Sequence, residues 1–394
     1  MKYLNKTKLV AAFGSVALAA TLSAPANAAI VLGGADGWEV SYGGFVNLFY
    51  TQSDWDYGAG GNEDSAHLNE GLLPAFHTLT VKTPEINGLK GTGQITFAPD
   101  SSGTKGKNLE KGGAEIDMRE VFFNVEGDFG TISAGRTLAL YQRQAILKDY
   151  TLFGVGASAG ADTGGTSLGR IGFGYVYPDF RTRFTYKTPD INGFVLEVGI
   201  FDPDETAPGG LFGAGHTQET DTPQFQAEAT YNTAFEGGNF NAWASFIWQE
   251  MEIVGVDDVE LFGYNVGVDI NMGGFNLMGS YYDGEAIGTI FLQDLGAFGC
   301  TATTCQEADN DGYIIQGAYT FNGTTKVGVS YGESTQDSNA AFGISGYENE
   351  LWSVGVYHDV NSWLKVVAEY NQQDSSFGTG HEADSFSIGG FILW

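Results

Sequence analysis

The residues in this chain whose types could do chemistry are mostly charged, and they are unevenly placed. Of the fifteen Lys and Arg beyond residue 28, thirteen fall between Lys82 and Lys187; only Lys326 and Lys365 follow. Acids are spread along the whole chain. The stretch from Arg136 to Phe180 mixes bases (Arg143, Lys148, Arg170), acids (Asp149, Asp162, Asp179) and aromatics (Tyr141, Tyr150, Phe153) in a Gly-rich setting. Facing rows of opposite charge orient water and dipolar solutes, and rings of charge set ion preference. The chemistry implied is an electric field across an aqueous path, not bond making.

Other constellations are weaker. Gly154-Val155-Gly156-Ala157-Ser158-Ala159-Gly160 has the composition of a phosphate loop but no strand–helix context, so it reads as flexible loop. Glu307-x-Asp309-x-Asp311-Gly312 departs from a Ca²⁺ loop in its first ligand and lacks a Glu at the twelfth position. The five His are scattered, with no spacing for zinc. Neither a catalytic set nor a cofactor or metal is expected.

Residues 1–28 set the compartment. Lys2, Lys6 and Lys8 precede the uncharged run Leu9–Leu22, and Ala26-Asn27-Ala28 is a small-x-small cleavage site. This is a secretory signal peptide, too short in its apolar run to span a bilayer. It carries three of the eighteen bases, so the mature chain holds fifteen against forty-eight acids, a net charge of −33. That excess argues against nucleic acid as a partner. Export also favours a disulfide between Cys300 and Cys305, the only two cysteines, as a loop staple.

The elements that must position the charges read as strands. Apolar and polar residues alternate with period two, as in Phe225-Gln226-Ala227-Glu228-Ala229-Thr230-Tyr231 and Phe262, Tyr264, Val266, Val268, Ile270 against Asn265 and Asp269. Turn signals such as Pro84-Glu85-Ile86-Asn87-Gly88, Pro189-Asp190-Ile191-Asn192-Gly193 and Phe321-Asn322-Gly323 supply the positive φ of tight hairpins. Long polar connections alternate with these turns: 52–71, 99–114, 137–179, 203–223, 251–258, 284–311, 334–348 and 372–384. Sixteen strands result, the first at 38–51 and the last at 385–394. Short turns gather at one end and long loops at the other.

A sandwich could bury the apolar faces of two sheets against each other. A closed barrel with its apolar face in lipid fits better. The strands have the length of a tilted crossing strand, aromatics gather near their ends, and in hydrocarbon only a closed sheet pairs every backbone group. Sixteen strands leave room for an aqueous channel. The expected fold is therefore an all-β, 16-stranded antiparallel transmembrane barrel over 29–394.

The stretch Arg119-Glu120-Val121-Phe122-Phe123-Asn124-Val125-Glu126-Gly127-Asp128-Phe129-Gly130-Thr131, then Ala134-Gly135-Arg136, resembles the general bacterial porins of the Gram-negative outer membrane. So does Tyr186-Lys187-Thr188-Pro189 with Asn192-Gly193-Phe194. The last strand, with Phe386, Ile388, Ile392 and Trp394 on one parity, resembles their assembly signal but ends in Trp where Phe is usual. The resemblance spans the mature chain. It implies a passive, water-filled pore for small hydrophilic solutes and ions in the outer membrane, not an enzyme. It implies a homotrimer in outer-membrane lipid, delivered by the barrel assembly machinery. It further implies that 137–179 folds into the lumen as a constriction. Wall candidates are then Arg119, Arg136, Arg181, Arg183 and Lys187; loop candidates are Tyr141, Asp149 and Asp162. A channel specific for a sugar, phosphate or organic acid is one alternative; a barrel hydrolase is another.

Overall fold

The computed structural model describes residues 29–99, 101, 116–158, 165–203, 218–219, 221–294, 296–378 and 380–394. The leader 1–28 and Asp162 lie outside them. The alternating segments form sixteen barrel strands. In chain order these are β1 Glu39–Asp56, β2 Phe76–Lys82, β3 Lys90–Pro99, β4 Ile116–Gly127, β5 Gly130–Leu138, β6 Phe180–Lys187, β7 Phe194–Phe201 and β8 Gln224–Phe235. Then follow β9 Gly238–Ile253, β10 Val259–Met272, β11 Phe275–Glu285, β12 Asp309–Phe321, β13 Thr325–Gln336, β14 Tyr347–Asp359, β15 Leu364–Ser375 and β16 His381–Leu393. Each pairs antiparallel with its neighbours in sequence. The ring closes where β1 meets β16, from Phe45↔Leu393 to Asp56↔Glu382. Closure leaves the sheet without a free edge, as hydrocarbon demands. No helix among the described residues is long and apolar enough to cross a membrane; the strands supply the crossing.

The two faces separate as the alternation requires. On β16, Phe386 and Ile388 are 49% and 52% exposed, while Ser387 between them is 0% exposed. Trp352, Val354 and Val356 on β14 and Val327 and Val329 on β13 point outward in the same way, and Gln316, Ser330 and Ser353 point inward and are buried. A one-residue slip of any strand would exchange these sets. The tight turns bear this out: Asn87, Asn192 and Asn322 all adopt positive φ ahead of a glycine.

Two features differ from the sequence reading. The connection after β1 is no open loop: β1 extends to Asp56 and turns back into a strand, Asn62–Asn69, that pairs with its upper half, Phe49–Asp56. β2 pairs with the lower half, Glu39–Phe45. Residues 70–75, Glu-Gly-Leu-Leu-Pro-Ala, interrupt what would be one strand. Pro74 cannot donate to a ladder, which favours the break. Asn47 stands in for the lost pairing: its Oδ1 accepts from Gly71 N–H at 2.9 Å and its Nδ2 donates to Leu73 C=O at 2.9 Å. Second, the inner parity is not polar all round. Phe45, Phe49, Phe76 and Phe391 face inward on β1, β2 and β16 and are almost fully buried.

The connection between β11 and β12 carries structure of its own. Phe298–Cys300 and Cys305–Glu307 form a small hairpin closed by a Cys300–Cys305 disulfide. Ala286, Ile287 and Phe298 of this segment pack on Ile247, Met251, Val259, Leu261 and Tyr282.

Candidate functional site

The long segment between β5 and β6 carries a short helix, α1 Arg143–Lys148, and a 3₁₀ turn, Tyr150–Phe153. Its polar groups bond with inward-facing side chains and with backbone carbonyls of many strands. Gln226 Oε1 on β8 accepts from Leu140 and Tyr141 N–H at 2.9 and 2.8 Å. Gln316 Oε1 on β12 accepts from Tyr150 N–H at 3.2 Å, and the Tyr150 hydroxyl donates to Ser353 C=O on β14 at 2.8 Å. Glu369 Oε2 on β15 accepts from Val155 and Gly156 N–H at 2.8 and 2.9 Å. Arg170, 0% exposed, donates to Leu351 C=O and Ser330 C=O at 2.8 and 2.9 Å. The break in β2 receives the same segment: Leu72 N–H donates to Gly154 C=O and Ser167 N–H to Gly71 C=O. Leu152 and Phe153 lie against the inward aromatics of β1 and β16.

Charge concentrates at one seam. The Arg143 guanidinium donates to Glu228 on β8, at 2.6 Å and 3.2 Å, and to Glu197 on β7 at 2.8 Å. All three are buried. Burial works to lower Arg143, but the two carboxylates outweigh it and hold the guanidinium above its usual value. Arg183 shares Glu197 at 3.5 Å and donates to Leu138 C=O at 2.8 Å. Here the base sits on the loop and the acids on the wall, the reverse of what the resemblance implies.

The other wall residues are spread along β4 to β6. Arg119 occupies a bulge opposite β3, where Thr96 pairs with Glu120 but Phe97 with Met118. The extra residue breaks the alternation. Its side chain meets the Tyr177 hydroxyl at 2.7 Å, Asp117 at 2.6 Å and the Phe180 ring. Arg181 donates to Asp202 C=O at 3.2 Å. Lys187 stands opposite Glu197 in register.

Three expectations need correction. Arg136 is no lumen residue: it pairs with Val121 on β4 and Thr182 on β6, both exposed on the outer face, and directly opposed residues share a face. Its position in the strand, one residue before the inward Thr137, is the cause. Tyr141 is 1% exposed, in one apolar cluster with Ile287 and with the hydroxyl end of its ring against Gly263. Asp149 is also buried; it caps the 3₁₀ turn, accepting from Thr151 N–H at 2.8 Å, the Thr151 hydroxyl at 2.6 Å and the Tyr175 hydroxyl at 2.9 Å. Burial holds its carboxyl above the usual range, against the pull of Arg170 and Thr151. Asp149 therefore shapes the loop and presents no carboxylate to water. Sequence reasoning missed Glu197, Glu228 and Glu369 as partners. Their polar parity was visible; the loop groups that meet them were not.

On the last strand, Phe386, Ile388 and Ile392 are exposed on the outer face, and Trp394 pairs with Gly44 through both its backbone N–H and C=O.

A closed sixteen-stranded barrel with an apolar belt and a polar interior is a membrane channel architecture. Residues 14–378 match the sequence profile of the Gram-negative porins, and the chain belongs to that family. Among solved structures it is similar to the outer membrane channel DcaP of Acinetobacter baumannii (TM-score 0.70, 14% identity, 92% of this chain and 99% of that one). It is also similar to an anion-selective porin from Comamonas acidovorans (TM-score 0.63, 14% identity, 91% and 100%) and to Salmonella typhi OmpF in complex with daunomycin (TM-score 0.57, 14% identity, 91% and 98%). At such identities the likeness shows the fold. Among curated proteins none matches in sequence. The protein is an outer-membrane porin, a channel for passive diffusion.

Proposed function

We propose that residues 137–179 form the constriction of this porin, so that solute passes between this segment and the wall of β3 to β6. The observation that carries the reading is the set of hydrogen bonds from the segment to inward side chains of β8, β12 and β15 and to backbone carbonyls of β13 and β14. Arg119, Arg181 and Arg183 stand on the other arc, on β4 and β6, where Arg119 and Arg183 also bond to Tyr177 and Leu138 at the two ends of the segment. Small hydrophilic solutes and ions are the cargo, without a catalytic step. The Arg143–Glu197–Glu228 cluster anchors the segment and does not contact solute.

The working unit of this reading is a homotrimer. An apolar depression on the outer face of β2 to β5, lined by Leu79, Val81, Ile95, Val121, Phe123 and Ala134, supports this as the surface where copies meet. The outward row Phe386, Ile388, Ile392 and Trp394 serves as the signal for the barrel assembly machinery, and 1–28 as the export signal.

The test is electrical. Purified barrels in a planar bilayer under a KCl gradient give a zero-current potential, remeasured with Arg181 and Arg183 each replaced by Ala. Movement toward cations is the expected result. A potential and a conductance untouched by both substitutions would remove these arginines from the solute path.

A further inference from the structure

On the short-turn side of the long segment lies a cavity of about 500 Å³. Its lining includes Lys148 from the end of α1, Asp269 and Asn271 on β10, Asn276 on β11 and Lys326 on β13. Two ammonium groups thus share one space with one carboxylate. That carboxylate is already engaged: Asn271 and Asn276 both donate to it. Lys148 reaches it only at 4.0 Å, lies 3.5 Å from Asn241 Oδ1, and sits 5.8 Å from the centre of the Trp243 ring.

Lys326 is the more telling group. It faces inward on β13, opposite Thr320 and Tyr357, and among the described residues it has no hydrogen bond and no ion pair within 4.0 Å. Lys326 and Lys365 are the only bases after Lys187 in a chain of net charge −30. Lys365 has its partner in Asp359 at 2.5 Å. An inward ammonium that lines an open cavity with no partner at ion-pair distance is free to take an anion. Burial holds the Lys148 ammonium below its ordinary value, with Asp269 and Glu228 pulling the other way. On the cavity lining the two lysines outnumber Asp269, which favours an anion over a cation there, with Asp149, Asp359 and Glu228 acting from outside the lining.

We propose that Lys148 and Lys326 form an anion subsite on the short-turn side of the loop, holding the carboxylate or phosphate of a small solute as it passes. The subsite rests on reading the chain as a solute channel, and it lies on a different wall from the arginines of β4 and β6. Lysine supplies movable point-charge donors, which suits transient capture better than a rigid fork does. Binding here must be weak enough to release.

The experiment uses the full mature barrel with inorganic phosphate as probe and two readouts. One is phosphate ³¹P line broadening by the detergent-solubilised protein. The other is block of KCl current by phosphate added on the short-turn side. For K326Q the broadening is expected to fall to the level given by free detergent, and the half-blocking concentration to rise about fivefold or more. K148Q changes both in the same direction, and K326R restores them. K90Q removes a charge at the same end, where Lys90 pairs with exposed Glu85 outside the cavity, and leaves both readouts at the wild-type level. Equal responses from wild type and K326Q overturn the subsite. Broadening lost in K326Q from a wild-type barrel that carries no current sustains the subsite and defeats the channel reading instead.

Discussion

Arg143 concentrates the energetics of the loop in one side chain. Its removal leaves Glu197 and Glu228 buried and close together without their shared cation. Loss of one partner from such a cluster costs about 3–5 kcal/mol. Arg143→Ala should therefore lower the thermal unfolding midpoint in detergent by many degrees and make single-channel current noisier. The double change R143M/E228Q should recover most of the midpoint, since Glu197 keeps Arg183 at 3.5 Å and no charge is then stranded. An unaltered midpoint in R143A would show that the cluster contributes nothing net.

Asp294, in the connection between β11 and β12, gives a pH prediction. Burial pushes its carboxyl up to about 6, against the backbone N–H donors of Ile290, Phe291 and Thr289. The folded value lies above the unfolded one of about 4. A raised carboxyl favours its protonated form in the fold. Its contribution to stability is therefore fully present below about pH 4 and is lost as pH rises through about 6. Amide exchange in residues 286–294 should be slower at pH 4.5 than at 7.5 once corrected for intrinsic rates, and Asp294→Asn should erase the difference. A difference that survives in D294N assigns the effect elsewhere.

Among the elements, the β5–β6 segment depends on backbone that only glycine permits. Gly156 has φ +61°, and a Cβ there would lie 2.3 Å from the Gly169 carbonyl oxygen. Neither atom belongs to a flexible side chain, so Gly156→Ala must move one strand of the loop. The barrel itself makes no use of this contact. We expect G156A to fold and insert normally, judged by heat-modifiable mobility, while mean conductance changes and current fluctuations grow. Wild-type conductance in G156A would mean that this loop does not gate the path. The Gly-rich composition of 154–160 was visible in the sequence. The break at 70–75 that receives the loop was not. It depends on Asn47, more than twenty residues away, replacing ladder hydrogen bonds.

At the scale of the whole molecule, stability rests on lipid against one parity of each strand. Val329 is 46% exposed on the outer face and Ser330 beside it is 2% exposed on the inner. Val329→Arg should cost about 2–4 kcal/mol if it lies near the bilayer centre. Urea unfolding in vesicles measures this, and a loss near zero would place Val329 away from hydrocarbon.

The strand count, the closed barrel and the assignment of most residues to a wet or a greasy face were decided by the sequence alone, because a period of two is local and survives any tertiary arrangement. Tight turns were equally legible, since Asn-Gly pairs specify backbone geometry within four residues. Which charges meet was decided only in three dimensions. Arg143 finds Glu197 and Glu228 across 54 and 85 residues, and Arg136 faces outward because a single step of register separates it from Thr137. Contacts between a loop and a distant wall depend on the path of the loop through the barrel, and no spacing along the chain encodes that path.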